Sequence, residues 1–205
     1  MIIDNSEQGT DEWLMARLGI PTTSNFSKIF GASGKPSTQA KGYMNSLLAD
    51  YIAGYPVDQI DKTEWMARGN ELEGEARDTY CFLTDNDVEQ VGLVYLDEKK
   101  LVGCSPDGLV GDHGLNEIKC PKASTLVEYL LNGKLPSTYK PQVQGQLWVT
   151  GREWCDFFAY HPDIETQFLL RVYRDEKYIS GLSDAVLSFV GEMLEKREKL
   201  SKLKD

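Results

Sequence analysis

Apolar positions change their spacing once along this chain, near its middle. Up to about residue 83 they recur at helical intervals. Asp11 and Glu12 open a short helix through Trp13, Leu14, Arg17 and Leu18, stopped by Gly19 and Pro21. Thr22, Thr23 and Ser24 offer caps for a second helix through Phe26, Ile29 and Phe30. Residues 31–38, rich in Gly, Ser and Pro, read as a loop. Met44, Leu47, Leu48, Tyr51 and Ile52 mark a helix over 39–53, and Trp65, Leu72, Ala76 and Tyr80 share one face of another over 62–83. From residue 88 the pattern turns to β-branched and apolar runs, and 88–96, 101–105 and 115–120 predict strands. Helices over 125–131 and 138–149 follow, each with a glycine beyond its end, Gly133 and Gly151. Residues 154–161 and 166–174 alternate like a further strand pair. An amphipathic helix over 184–204 turns Val186, Phe189, Val190, Met193 and Leu194 inward. The order helices, βββ, αα, ββ, α predicts an α/β fold: a mixed central β-sheet flanked by helices, with a helical N-terminal part. Its 205 residues, without repeat or linker, read as one domain, 1–205.

The strand region carries the chemistry. Ser105-Pro106-Asp107-Gly108 precedes Glu117-Ile118-Lys119, with ten residues from Asp107 to Glu117. One β-hairpin can join them, with Asp107 ending the first strand, Gly111-Asp112-His113-Gly114 turning, and 115–120 running back. Side chains alternate along a strand, so Glu117 and Lys119 share a face about 6–7 Å apart and Ile118 points into the core. Mg²⁺ takes oxygen ligands at about 2.0–2.1 Å, which Asp107, Glu117 and the Ile118 carbonyl would supply. Lys119 would orient or deprotonate a water and offset charge on phosphorus. Two ions about 3.5–4 Å apart steady both the attacking and the leaving oxygen of a phosphodiester. The hairpin points to a metal-dependent nuclease. The competing account is a surface hairpin with a solvated Glu–Lys pair and an ordinary Pro-Asp-Gly turn.

A net charge of −10 argues against a generally basic nucleic-acid binder. Residues 117–152 reverse that balance, with five Lys/Arg against two acids. An acidic exterior around a basic channel would hold DNA in the channel alone. No apolar run approaches the roughly 18 residues of a membrane span. Met1 to Asn5 lack a signal peptide's basic and apolar regions, so a cytoplasmic protein with no membrane partner is expected. Cys81, Cys104, Cys120 and Cys155 are scattered without a C-x-x-C pair. That disfavours structural zinc or an iron–sulfur cluster and favours reduced, mostly buried thiols.

Other candidates have two readings each. Glu73 shares a helical stripe with Met66, Ala76 and Tyr80, so it either assists a metal or is a solvated acid, as Glu71 and Glu75 are expected to be. Pro141 sets Gln142 at a helix N-terminus, where amide dipoles favour phosphate, yet Gln142, Gln144 and Gln146 also suit a solvated polar face. Arg17 with Ser24 offers a phosphate pocket, or merely a surface arginine and a helix cap. His113 and His161 have neither zinc spacing nor triad partners.

Together these segments resemble the lambda-exonuclease-like, YqaJ-like viral recombinase family of PD-(D/E)xK nucleases. The resemblance runs through Glu7-Gln8-Gly9-Thr10-Asp11-Glu12-Trp13, Arg17 to Ser24, Gly69…Glu73…Ala76-Arg77, Cys104 to Leu109, Glu117 to Pro121, Gln142-Val143-Gln144 with Trp148-Val149-Thr150, and Arg174 to Tyr178. It implies a restriction-endonuclease-like core and a 5′-to-3′ exonuclease that digests linear double-stranded DNA to mononucleotides, leaving 3′ overhangs. It implies Mg²⁺, two ions per site with Mn²⁺ as a substitute, on Asp107, Glu117 and the Ile118 carbonyl, with Glu73 assisting. Lys119 would act on the attacking water with Gln142 nearby, and Arg17, Ser24 and Ser105 would hold the 5′-phosphate. The implied assembly is a ring-shaped homotrimer, phage- or prophage-encoded, working beside a single-strand annealing recombination protein. An endonuclease of the same superfamily and a non-catalytic DNA-binding subunit are the rival readings.

Overall fold

The structure, a computed structural model, describes residues 1–57 and 64–203, with side chains from residue 71 onward in the second stretch. In chain order, β1 (Ile2–Asp4) precedes α1 (Asp11–Ala16), a 3-10 helix (Thr23–Lys28), α2 (Ala40–Ala53) and α3 (Glu64–Thr84). Five strands follow: β2 (Val88–Glu89), β3 (Leu93–Tyr95), β4 (Gly103–Cys104), β5 (Gly108–Val110) and β6 (Gly114–Lys119). Then come α4 (Ala123–Asn132), a 3-10 turn (Ser137–Tyr139), α5 (Lys140–Thr150), β7 (Trp154–Ala159), β8 (Phe168–Tyr173) and α6 (Glu176–Ser201).

The larger sheet has the order β2-β5-β6-β7-β8. β5 and β6 form an antiparallel hairpin, as do β7 and β8. β6 and β7 are parallel, so the chain between them must cross over, and it does so through α4 and α5. A smaller antiparallel sheet, β1-β3-β4, lies apart from this ladder. On one face of the large sheet Leu115, Cys155, Phe157 and Ala159 join the main core with Val143 and Leu147 of α5 and Leu182 and Val186 of α6. On the other, Val110, Ile118, Phe158 and Tyr160 pack against Ala76 and Tyr80 of α3. A strand covered on both sides becomes an almost unbroken apolar run, as in Phe157-Phe158-Ala159. Asp156 is the buried exception. It accepts hydrogen bonds from Tyr80 Oη at 2.7 Å and from two Arg171 nitrogens, each at 2.8 Å, which ties α3 to the sheet.

α5 lies close against the Thr23–Lys28 helix because Gly145 permits it. A Cβ at Gly145 would meet the Phe26 ring at 2.6 Å. The helix then stops at Gly151, whose φ of +72° suits glycine and lets its N–H return to the Leu147 carbonyl.

The observed fold is the mixed α/β architecture that the pattern predicts, with several local differences. The run 88–96 is two strands in two sheets, broken at Gly92, where a Cβ would lie 2.1 Å from the Ser6 carbonyl oxygen. Asp107 does not end the first arm of the hairpin. Gly103–Cys104 belongs to the small sheet, and Asp107 immediately precedes β5. Pro106 explains the break, since it has no N–H for a ladder. The second N-terminal helix is 3-10 rather than α. The closing helix begins eight residues earlier than expected, at Glu176, where Asp175 caps it by accepting from Tyr178 N at 3.0 Å. The expected start of α3 at residue 62 lies outside the described residues, as do the side chains of Trp65 and Met66.

Candidate active site

The centre of the site is the C-terminal half of β6. β5 pairs with Gly114 to Asn116. Glu117 to Lys119 continue beyond that pairing while remaining in register with Phe157 to Ala159 of β7. Lys119 O accepts from Tyr160 N at 2.8 Å, on the β7 side. Neighbouring residues of a strand turn their backbone groups to opposite edges, so Ile118 presents its N–H and carbonyl to the other side. There its N–H donates to Asp107 Oδ2 at 2.6 Å. Glu117 and Lys119 project together from the α5-facing side, and the Lys119 ammonium donates to Glu117 Oε1. Ile118 is buried in the opposite core cluster.

α5 completes the surroundings of Glu117. Gln142 and Gln146, one helical turn apart, donate from Nε2 to Glu117 Oε1 and Oε2, each at 2.6 Å. Gln144 points elsewhere, accepting from Asp175 N at 2.8 Å and donating to the Tyr173 carbonyl at 2.9 Å. Gln142 lines a cleft of about 520 Å³ together with Asp107, Glu117, Lys119 and Glu73. Glu73 arrives from α3, with Oε1 held by Arg77 Nη2 at 2.8 Å.

The far wall of the cleft comes from the N-terminal segment. Thr10 caps α1 by accepting from Trp13 N at 3.3 Å. Trp13 and Arg17 are four residues apart, and the guanidinium lies 3.9 Å from the indole centroid. Arg17 Nη2 donates to Thr22 Oγ1 at 3.1 Å and to Ser24 Oγ at 3.3 Å. Trp13 Nε1 donates to Ser105 Oγ at 3.0 Å. Gln8 Nε2 bonds the Val91 and Pro106 carbonyls at 2.8 and 2.9 Å, fastening this segment beside Asp107. The fold thus brings Arg17, Ser24 and Ser105 into one cleft with Asp107, Glu117, Ile118, Lys119, Glu73 and Gln142.

Electrostatically the cleft is an acid pocket with cations at its walls. Burial, then the charges of Glu117 and Glu73, push the Asp107 carboxyl well above its ordinary range, against the pull of Lys119 and the Ile118 N–H. Burial opposes the Lys119 ammonium, but Glu117 and Asp107 outweigh it and raise its pKa, so it stays charged. Burial also lowers the pKa of Arg17. Among the described residues, no three His, Cys, Asp or Glu side chains form a ready metal cage. The donor set that remains, two crowded carboxylates and a carbonyl edge, is all oxygen. It fits a hard dication that keeps several waters, and it would not suit a soft metal.

The sequence reading gives Gln146, Trp13 and Gln8 no role at the site and misses Tyr139, although Gln8, Trp13 and Tyr139 line the cleft and Gln146 bonds Glu117. Helical spacing was the available signal for two of them: Gln146 is i+4 from Gln142, and Trp13 is i−4 from Arg17. No disulfide joins the cysteines: Cys104 and Cys155 are buried and Cys81 and Cys120 half-buried. No helix among the described residues is long and apolar enough to cross a membrane.

This arrangement of sheet, hairpin and helices is a nuclease fold. It superposes on an alkaline exonuclease from Laribacter hongkongensis with a TM-score of 0.86 and 35% identity, over 95% of this chain and 98% of that one. The same enzyme in complex with dAMP gives 0.85 and 36%, with the same coverage. A phage-related exonuclease from Haemophilus somnus 129PT shares the fold at a TM-score of 0.65 and 16% identity, over 90% of this chain and 96% of that one. Residues 12–153 match the YqaJ-like viral recombinase domain, and the chain belongs to that family. No curated protein matches the chain.

Proposed function

We propose that the protein is a Mg²⁺-dependent exonuclease of the PD-(D/E)xK type that degrades linear double-stranded DNA from 5′ ends. It releases mononucleotides and leaves 3′ single strands for annealing. The observation that carries this reading is one cleft containing both the Asp107–Glu117–Lys119 group and the Arg17–Ser24–Ser105 group. The first suits phosphodiester hydrolysis and the second suits a terminal phosphate. Membership in the family and likeness to the Laribacter exonuclease support the same direction.

Asp107, Glu117 and the Ile118 carbonyl would hold the metal, with Glu73 assisting. When bound, Mg²⁺ supplies Lewis-acid polarisation of the phosphate and a more acidic water. The protein's own groups then have separate tasks. Lys119 donates to the water that attacks and offsets negative charge growing on the phosphate oxygens. Gln142 keeps Glu117 Oε1 turned to the cleft. Arg17 and Ser24, steadied by Trp13 and Thr22, and Ser105 hold the 5′-phosphate, which places the first internucleotide bond beside Lys119. A ring of three copies around the duplex would make digestion processive and confine DNA to a basic channel in an acidic molecule. The exposed strand would pass to an annealing protein, in the cytoplasm of a cell carrying the phage or prophage.

The test is a linear duplex with one 5′-phosphate end and one 5′-hydroxyl end, labelled separately, with a closed circle as control. Mg²⁺-dependent mononucleotide release from the phosphorylated end, with the circle intact, is expected. Cleavage of the circle would identify an endonuclease, and binding without cleavage a scaffold subunit.

A further inference from the structure

We infer that Gln146 is a positioning residue that fixes the Glu117 carboxylate from its core side. The inference rests on the metal-binding reading of the cleft proposed above. Glu117 is 0% exposed, and its two oxygens have different neighbours. Oε1 receives Lys119 and Gln142, both of which line the cleft. Oε2 receives Gln146 Nε2 at 2.6 Å. Gln146 is also 0% exposed and is not part of the cleft wall. Whatever it contributes to the reaction therefore passes through Glu117.

Rotation about the last bond of a glutamate is soft and broad, so a single hydrogen bond leaves the plane of the carboxylate loosely set. Gln142 and Gln146 grip both oxygens from successive turns of one helix. The reverse amide orientation of Gln146 would set oxygen against oxygen, so Nε2 faces Glu117. Gln146 Oε1 then has no hydrogen-bond partner among the described residues. A buried amide with an idle acceptor is a poor filler for a core, and an apolar side chain of the same shape would pack at less cost. Its donor end accounts for its presence. An apolar residue here strands Oε2 in the core, and an acid adds another negative charge to a crowded pocket.

The test titrates the protein alone, without DNA, with Mn²⁺ by calorimetry. Gln146→Met keeps the length and removes the donor. Gln146→Asn keeps the amide but withdraws it by one methylene, and serves if the first variant does not fold. Loss of a hydrogen-bond partner behind a metal ligand should raise the dissociation constant about 10–100-fold, at unchanged stoichiometry. The Mn²⁺ concentration for half-maximal DNA cleavage should rise in step. An unchanged constant in a folded variant overturns the inference. So does reduced stoichiometry at an unchanged constant, which marks a purely structural role. Wild-type protein that takes up no Mn²⁺ overturns the metal-binding reading itself, a different result from either.

Discussion

Asp107→Asn should make the protein more stable without metal and inactive with it. Asp107 sits beside Glu117 and Glu73, and burial and those charges hold its carboxyl well above the ordinary value of 3.8. A carboxyl raised in this way contributes stability that is complete below its unfolded pKa and is lost as pH climbs through the folded one. Without a cation, ionising this carboxyl therefore works against folding. Asparagine removes that charge and keeps an oxygen for the Ile118 N–H, the 2.6 Å contact that closes the end of β6. A single stabilising substitution is commonly worth about 0.5–2 kcal/mol. For a chain of this size that is about 1–8 °C in Tm. Mg²⁺ should reverse the order. A ligand at one hundred times its Kd stabilises the native state by about 2.7 kcal/mol, and the variant, lacking a proposed metal ligand, should gain little of it. Melting followed by intrinsic fluorescence in EDTA and in excess MgCl₂ should show the two proteins exchange rank. A variant that melts below wild type in EDTA would refute the account of the pocket as charge-crowded. An equal gain from Mg²⁺ would remove Asp107 from the metal site.

Four further outcomes are expected. Lys119→Ala should lower the cleavage rate by about 10²–10³-fold while calorimetric metal binding is retained, since it removes a charged hydrogen-bond donor and no ligand; normal turnover would exclude the lysine from the chemistry. Arg17→Ala should reduce the rate ratio between 5′-phosphorylated and 5′-hydroxyl ends, and an unchanged ratio would dissolve the phosphate pocket. Gly145→Ala forces a methyl to within 2.6 Å of the Phe26 ring and should cost about 1–3 kcal/mol in urea unfolding; a neutral result would mean that α5 can shift without penalty. Burial pushes the Tyr43 hydroxyl from 10.0 up to about 12. Between those values the unfolded chain sheds a proton that the native state keeps, so stability falls as pH rises. Tyr43→Phe should flatten that fall by about 1.4 kcal/mol per pH unit, measured as urea stability across the range.

Much of this molecule was legible in its sequence because local rules and tertiary demands agree there. The β6–β7 pair reads correctly since strands buried on both faces need unbroken apolar runs. α4 and α5 end one residue before the glycines that mark them. The reading failed where a single residue redirects the chain. Pro106 and Gly92 each move the backbone from one sheet to another, and apolar periodicity carries no record of which sheet a strand joins. The start of α6 was hidden because Gly181 interrupts an otherwise good helical face. In the site, spacing alone placed Glu117 and Lys119 on one face. The approach of Arg17 and Ser105 to them depends on Trp13 and Gln8 reaching the 91–106 segment, a long-range contact with no local signature.

The break at Pro106 is also what makes the site possible. Had residues 101–110 formed one continuous strand, β5 would pair with all of β6. The outward backbone of Ile118 would then be spent in the ladder. Because the chain turns away at Pro106, the edge of β6 beyond Asn116 is left for side chains, and Asp107 occupies it by accepting the Ile118 N–H. The same turn brings Ser105 under the Trp13 indole. One missing ladder position thus supplies an acid next to Glu117, a carbonyl facing the cleft and a hydroxyl on the same cleft wall as Arg17. The loss of β-pairing is offset by hydrogen bonds from Gln8 and Trp13, which are the groups that wall the cleft. The fold gives up sheet regularity at the one point where the proposed metal site uses free backbone, and the N-terminal segment closes over the gap.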